Sequence, residues 1–221
     1  DVCLQNLPVV IAVDRAGLVG SDGETHQGVF DLSFLSLIPN LSILSPKNRW
    51  EMADMVRFAV GFQYPIALRY PRGEAYEGLK EFEYGKSELL YEESEIAVMF
   101  VGHMSFLAEQ VREDLKAAGD QCSLINARFV KPLDTERIRK ISENHRILVT
   151  IEENVLTGGF GEQVEDFVMR EGIPLKVRTI GISDDYVEHG NVDVLRKEVG
   201  LDRESIVKKV IADDRRIKEE K

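Results

Sequence analysis

Arg15, Asp22 and His26 fall in one stretch, DRAGLVGSDGETHQG at 14–28. They combine a permanent cation, a carboxylate and a side chain that exchanges protons near neutral pH. Four glycines in the same stretch allow positive φ and a close approach of backbone to a ligand. Arg72, in the run RYPRG at 69–73, supplies a second fixed cation. Two guanidinium forks suit an anion such as phosphate, which each can grip through two parallel hydrogen bonds. A histidine beside them suits proton transfer, with Asp22 either orienting its ring or meeting a ligand hydroxyl. The same residue types also fit a solvated loop. Arg15 and Arg72 would then pair with surface acids, Asp22 would stabilise a turn, and His26 would donate to a backbone carbonyl.

For these side chains to act together, the elements around them must bring two loops to one edge. The apolar run 8–13 predicts a buried strand that delivers the glycine loop at its C-terminal end, where open α/β sheets carry their sites. Asp31 predicts the cap of a short helix over 32–37, ended by Pro39-Asn40, and 41–44 predicts a second strand. Ser45-Pro46 predicts a helix start, with Trp50, Ala53, Val56 and Val60 repeating on one face. A third strand over 65–70 ends at Pro71-Arg72-Gly73. This alternation predicts a parallel sheet with Arg15 and Arg72 on loops at the same edge. Residues 1–6 read as the end of a helix, and 74–84, polar and acidic without a period, as a linker. A second α/β unit follows, with strands over 95–101, 122–127, 146–151 and 175–180 and helices over 105–118, 134–143 and 160–170. Gly119 suits the position just past a helix end, and Asp134 a helix N-cap. The segments 192–198 and 203–220 read as helices whose increasingly charged end frays into solvent.

With 221 residues, 43% of them hydrophobic, the chain has material for one large or two modest domains. No apolar run approaches the roughly 20 residues needed to cross a bilayer. A net charge of −11 repels nucleic acid and anionic membrane, so phosphate binding rests on local arginines. Cys3 and Cys122 lie far apart without metal spacing and read as reduced structural thiols of a cytosol-like compartment. Gly158-Gly159-Phe160-Gly161 reads as tight strand-to-helix packing in preference to a phosphate cradle, because the full GxGxxG pattern is absent. His103 reads as a capping or packing residue, His145 and His189 stand alone, and Glu152-Glu153 reads as a domain-interface pair.

The run DRAGLVGSDGETHQGVFDLSFL, with IPN at 38–40, SP at 45–46, RYPRG at 69–73, RFVKPLD at 128–134, TIEEN at 150–154 and GGFG at 158–161, resembles the 1-deoxy-D-xylulose-5-phosphate synthases. These are thiamine-diphosphate enzymes of the transketolase superfamily, and the resemblance covers nearly the whole chain. It implies an α/β fold. Residues 1–78 would be the later part of a parallel-sheet pyrimidine-binding domain, 79–85 a linker, and 86–221 a three-layer α/β/α transketolase C-terminal domain. The family's first domain and the start of its second have no counterpart here. With them go the segment that holds metal and diphosphate and the glutamate that activates the thiamine ring. The resemblance therefore implies thiamine diphosphate and Mg²⁺ in the intact enzyme and none bound by this stretch alone. It also makes the N-terminus uninformative about targeting. The implied reaction condenses pyruvate with glyceraldehyde 3-phosphate to 1-deoxy-D-xylulose 5-phosphate and CO2, the first step of non-mevalonate isoprenoid precursor synthesis and a source for thiamine and pyridoxal. Arg15 and Arg72 would hold the acceptor phosphate, Asp22 its hydroxyls, and His26 the proton. Implied partners are the missing N-terminal half and a second copy in a homodimer, with no nucleic acid and no membrane, in a bacterial cytoplasm or a plastid. Two alternatives stand beside this: a non-catalytic dimerisation or regulatory module, and the β-subunit of a two-subunit 2-oxo acid dehydrogenase. Paired phosphate-binding arginines separate the latter, whose acceptor carries no phosphate.

Overall fold

The computed structural model describes residues 1–71 and 82–220, so Arg72, Gly73 and most of the expected linker lie outside the described residues. The first unit runs β1 (Val10–Val13), α1 (Asp31–Ser36), β2 (Ser42–Leu44), α2 (Arg49–Gly61) and β3 (Ile66–Arg69). The second runs β4 (Glu88–Tyr91), β5 (Glu95–Phe100), α3 (Ser105–Ala117), β6 (Cys122–Asn126), β7 (Phe129–Lys131), α4 (Thr135–Asn144), β8 (His145–Val155), α5 (Phe160–Arg170), β9 (Lys176–Ile182), α6 (Val192–Glu198) and α7 (Arg203–Glu219).

β3 lies between β1 and β2 and runs parallel to both, in register from Val10 opposite Ile66 to Val13 opposite Arg69. The strand that completes this sheet comes from the second unit: β7 pairs antiparallel with β2, giving the order β1-β3-β2-β7. The second sheet has the order β4-β6-β5-β8-β9, with β5, β6, β8 and β9 parallel and β4 antiparallel at one edge. Side chains alternate across a strand, so β5 sends Ile96, Val98 and Phe100 into one apolar cluster and Ala97 and Met99 into another. α3, α6 and α7 cover the first cluster, α4 and α5 the second, which makes the three-layer arrangement expected of this half. Both clusters also take residues from the first unit. Leu18 and Val29 enter one, and Leu32, Leu35, Leu41, Ile43 and Ala67 enter the other.

Several expectations shift, each for a local reason. The strand over 8–13 is not buried: β1 is an edge among the described residues, and Val10 stays 40% exposed. Residues 1–6 form turns instead of a helix end. α1 begins at Asp31 itself, with Phe30 in the cap position, because the Asp31 carboxylate faces Arg69 Nε at 3.4 Å and leaves the helix amides alone. α2 is capped by Asn48, whose side chain accepts from the Glu51 N–H at 2.9 Å, while Ser45 lies just past β2 and its N–H donates to the Arg128 carbonyl. The helix buries Glu51, Met55 and Ala59, so the stripe of Trp50, Val56 and Val60 faces outward, with Val60 76% exposed. Glu51 turns inward because it accepts from Arg128 Nε at 2.6 Å and Asn126 Nδ2 at 3.0 Å, a buried charge satisfied by its partners. α7 runs to Glu219 and is tied down through Ile217, with its last residues exposed as the charged end predicts. Ile217 is buried, Asp214 pairs with Arg146, and Asp213 pairs with Arg178. α4 is capped as expected, Asp134 accepting from the Arg137 N–H at 3.1 Å. Beyond the residues left undescribed, Phe82 and Tyr84 pack on Phe129 at ring separations of 5.5 and 5.3 Å. Among the described residues no helix is long and apolar enough to cross a membrane.

Candidate active site

The glycine-rich stretch is the loop from β1 to α1, and its two ends are tied to each other. Gly17 N–H donates to the Gly28 carbonyl at 2.8 Å and Gly28 N–H donates back to Gly17 at 2.9 Å. Ala16 N–H bonds the Tyr70 carbonyl at 3.1 Å, which fastens the loop to the end of β3. Neither glycine tolerates a side chain. A Cβ on Gly28 would lie 2.2 Å from the Arg15 carbonyl oxygen. One on Gly17, at φ +80°, would lie 2.0 Å from Glu153 Oε2. The closing position is therefore left-handed and occupied from across the unit boundary, two independent reasons for glycine.

Within the loop, Arg15 Nη1 pairs with Asp22 Oδ2 at 2.9 Å, the arginine side chain 42% exposed and the aspartate largely covered. The structure thus brings two of the predicted residues together. His26 sits on the exposed side of the same loop, where Nδ1 shares a hydrogen bond with Thr25 Oγ1 at 2.9 Å. Pro71, the last described residue before Arg72, lines a cavity of about 730 Å³ between the loop and the second unit, together with Leu18, Gly20, His103, Glu153 and Arg196.

The residues that hold the loop are mostly ones that sequence reasoning did not single out. Gln27 is buried and its amide nitrogen bonds the Val187 and Glu188 carbonyls at 2.7 and 3.1 Å, while its oxygen accepts from Val19 N–H at 3.3 Å. Asn154 accepts from Leu32 N–H at 3.1 Å and so starts α1 from the second unit. Arg69 is a fully buried cation at the end of β3. Its Nη2 donates to the Gly28 carbonyl at 2.7 Å and to the Glu153 carbonyl at 3.1 Å. Burial pulls the Arg69 pKa below its ordinary value, and Asp31 and Glu153 push it back up. Glu153 accepts from Leu18 N–H at 3.1 Å and Arg196 Nε at 2.6 Å, with His103 Nε2 at 2.7 Å. Burial alone would raise its pKa, but His103 and Arg196 outweigh it and hold the carboxyl at about 2. The interface role expected of the Glu152-Glu153 pair is thus met by Glu153, and His103 packs as a partner of that carboxylate. The available signals were a cation closing an apolar strand at Arg69 and two acids ending another at Glu152-Glu153.

The 158–161 turn starts α5 with its free amides, the kind of place where anions bind. Here Glu152 takes them, accepting from Phe160 N–H at 2.8 Å and Gly161 N–H at 2.7 Å. Burial pushes the Glu152 carboxyl up to about 7 against those two donors. Among the described residues no group of three or more His, Cys, Asp or Glu side chains could hold a metal ion. The glycine turn is filled from within by the Glu152 carboxylate.

Comparison with known proteins agrees with this architecture. The family model for the transketolase pyrimidine binding domain matches residues 1–77, and that for the transketolase C-terminal domain matches 85–206. The chain is 48% identical over 215 residues to the 1-deoxy-D-xylulose-5-phosphate synthase of Lachnoclostridium phytofermentans, covering 95% of this chain and 34% of that protein. It is 46% identical over 214 residues to that of Clostridium tetani, covering 96% and 35%, and 44% identical over 214 residues to that of Aquifex aeolicus, covering 95% and 34%. It therefore spans about a third of the length of these curated relatives. Among solved structures, a split-gene transketolase described as an inactive β4 tetramer superposes with a TM-score of 0.87 at 25% identity, covering 96% of this chain and 68% of the other. The Campylobacter jejuni transketolase shares the fold, with a TM-score of 0.75 at 17% identity, covering 96% and 32%. From its matched domains, its sheet order and its relatives, the chain belongs to the transketolase family.

Proposed function

We propose that this chain forms the acceptor side of a thiamine-diphosphate-dependent transferase that condenses pyruvate with glyceraldehyde 3-phosphate to 1-deoxy-D-xylulose 5-phosphate and CO2. The observation that carries the reading is the β1–α1 loop, fastened at both ends, with the Arg15–Asp22 pair on it and His26 open to solvent. A loop fixed by backbone bonds can present a fixed charge to a ligand at low entropic cost. In this reading Arg15 grips the acceptor phosphate together with Arg72, trading part of its contact with Asp22 for phosphate oxygens. Asp22 then accepts from the acceptor's hydroxyls. Turning the aldehyde into the product alcohol takes up one proton, and His26, reached by solvent, delivers it to that oxygen. Thiamine diphosphate and Mg²⁺ are assigned to parts of the enzyme outside this chain. The compartment in this reading is a bacterial cytoplasm or a plastid, and the bacterial sources of the relatives support the former. The assembly in this reading is a homodimer completed by the missing N-terminal half, and this chain by itself does not turn over; the split-gene transketolase described as an inactive β4 tetramer supports association of like chains without activity. The test is a chimera of the Lachnoclostridium phytofermentans synthase in which this chain replaces the matched third. CO2 release from pyruvate that depends on glyceraldehyde 3-phosphate, in the chimera and not in the 221-residue chain alone, supports the reading. A folded chimera that releases no CO2, or releases it irrespective of the phosphorylated aldehyde, overturns it.

A further inference from the structure

Glu153 stands 1% exposed near the end of β8, in the second unit, yet its bonds converge on the two ends of the first unit's loop. Its Oε2 accepts from Leu18 N–H at 3.1 Å, just past the closing Gly17. Its main-chain carbonyl accepts from Arg69 Nη2 at 3.1 Å, and that same nitrogen donates to the Gly28 carbonyl at 2.7 Å. One residue thus holds the opening of the loop with its side chain and the close of it through an arginine. The Gly17 backbone comes so near that the carboxylate occupies the place of a side chain there. Arg15 precedes this anchor by three positions and takes a left-handed φ of +59°, so the direction of its guanidinium depends on where the anchor fixes the turn.

A buried carboxylate is costly to desolvate, and an apolar residue of similar size would fill the space without that cost. Here the charge is kept, and two side chains of the second unit partner it, the Arg196 guanidinium at 2.6 Å and the His103 ring Nε2 at 2.7 Å. Such an arrangement fixes the orientation of the groups that it binds. His103 Nδ1 is buried without a partner among the described residues, so the ring is oriented through Nε2, which faces Glu153.

We propose that Glu153 is a positioning residue, supported by His103 and Arg196, which sets the loop so that Arg15 and Asp22 face the acceptor. The inference rests on the acceptor-side reading above. Two measurements separate the two. Hydrogen exchange followed by NMR on the 221-residue chain compares the native protein with Glu153→Gln, which keeps the size and one acceptor oxygen but removes the charge. The Leu18 and Gly28 amides are expected to exchange roughly tenfold or more faster, on the scale of a lost charge-assisted bond, while Val98 and Val149 in the second sheet stay unchanged. Unchanged Leu18 exchange, or equal acceleration at all four, overturns the proposal as no more than general packing. In the chimera, Glu153→Gln is expected to raise the Michaelis constant for glyceraldehyde 3-phosphate about tenfold, with that for pyruvate unmoved and Glu153→Asp recovering part of the loss. Should Arg15→Ala raise the acceptor constant while Glu153→Gln leaves it alone, the positioning role is refuted and the acceptor reading stands. Should neither substitution move it, the acceptor reading falls, and the exchange rates alone decide whether Glu153 braces the loop.

Discussion

Replacing Gly17 with alanine perturbs the joint between the two units at one atom. The added Cβ would stand 2.0 Å from Glu153 Oε2 and 2.9 Å from its Cδ, so the carboxylate must leave. Holding an L-residue at φ +80° costs about 1–2 kcal/mol. Losing the Leu18 N–H bond to a charged acceptor costs about 1.5–3 kcal/mol. The sum, about 3–5 kcal/mol, is a large part of the 5–15 kcal/mol that holds a typical domain folded. For a chain of this size each kcal/mol lowers Tm by about 2–4 °C, so thermal unfolding followed by circular dichroism should show a drop of roughly 6–20 °C. Gly61 supplies the control, because nothing lies within 4 Å of a Cβ there and it ends α2. Gly61→Ala should be neutral or stabilising by up to about 1 kcal/mol. Combining Gly17→Ala with Glu153→Ala should cost less than the sum of the two, by about 1–3 kcal/mol, since the alanine no longer meets a carboxylate. A Gly17→Ala protein as stable as the parent, or strict additivity in the double variant, would refute the reasoning.

Two further outcomes follow from buried ionisable groups. Glu153, held at about 2 in the folded chain against an ordinary 4.5, contributes stability that is fully present above pH 4.5 and disappears as pH falls toward 2, about 3 kcal/mol in all. Glu152 works the other way: with its carboxyl pushed up to about 7, the folded chain holds a proton the unfolded chain releases, so stability falls as pH rises from 4.5 to 7. Urea midpoints measured across both windows should show Glu153→Gln flattening the acid limb and Glu152→Gln the neutral one. Cys122, fully buried with its thiol pushed up to about 12, should resist alkylation in the native chain, whereas half-buried Cys3 reacts first. Mass spectrometry should therefore find one adduct before unfolding and two after.

Much of the fold was legible because the second unit obeys simple rules. Its strands are apolar runs buried on both faces, and α5 begins and ends where its glycines and arginine suggest. The first unit, and the sheet it shares with β7, was harder. In α2 the period was right but the phase was wrong, since counting apolar residues cannot see that Glu51 is the side chain turned inward, paid for by Arg128 and Asn126. β7 is three residues long, and only its pairing with β2, far away in sequence, makes it a strand. β1 looked buried because its residues are apolar, but a sheet edge exposes apolar residues as readily as a core hides them. At the site, residue type and spacing pointed to the loop and to Arg15, Asp22 and His26 within it, and the structure pairs the first two. Beyond the interface role read at Glu152-Glu153, they could not give how the loop is held. Arg69, Gln27 and Glu153 act through main-chain contacts with residues 41, 160 and 135 positions away, a relation that no local pattern records.

The most direct measurement is the Michaelis constant for glyceraldehyde 3-phosphate in the chimera when Arg15 becomes alanine. A guanidinium–phosphate contact at a half-exposed site contributes about 1.5–3 kcal/mol, so the constant should rise roughly 10- to 100-fold while that for pyruvate holds. An acceptor constant that does not move, or a pyruvate constant that rises with it, would contradict the assignment of this loop to the phosphorylated acceptor.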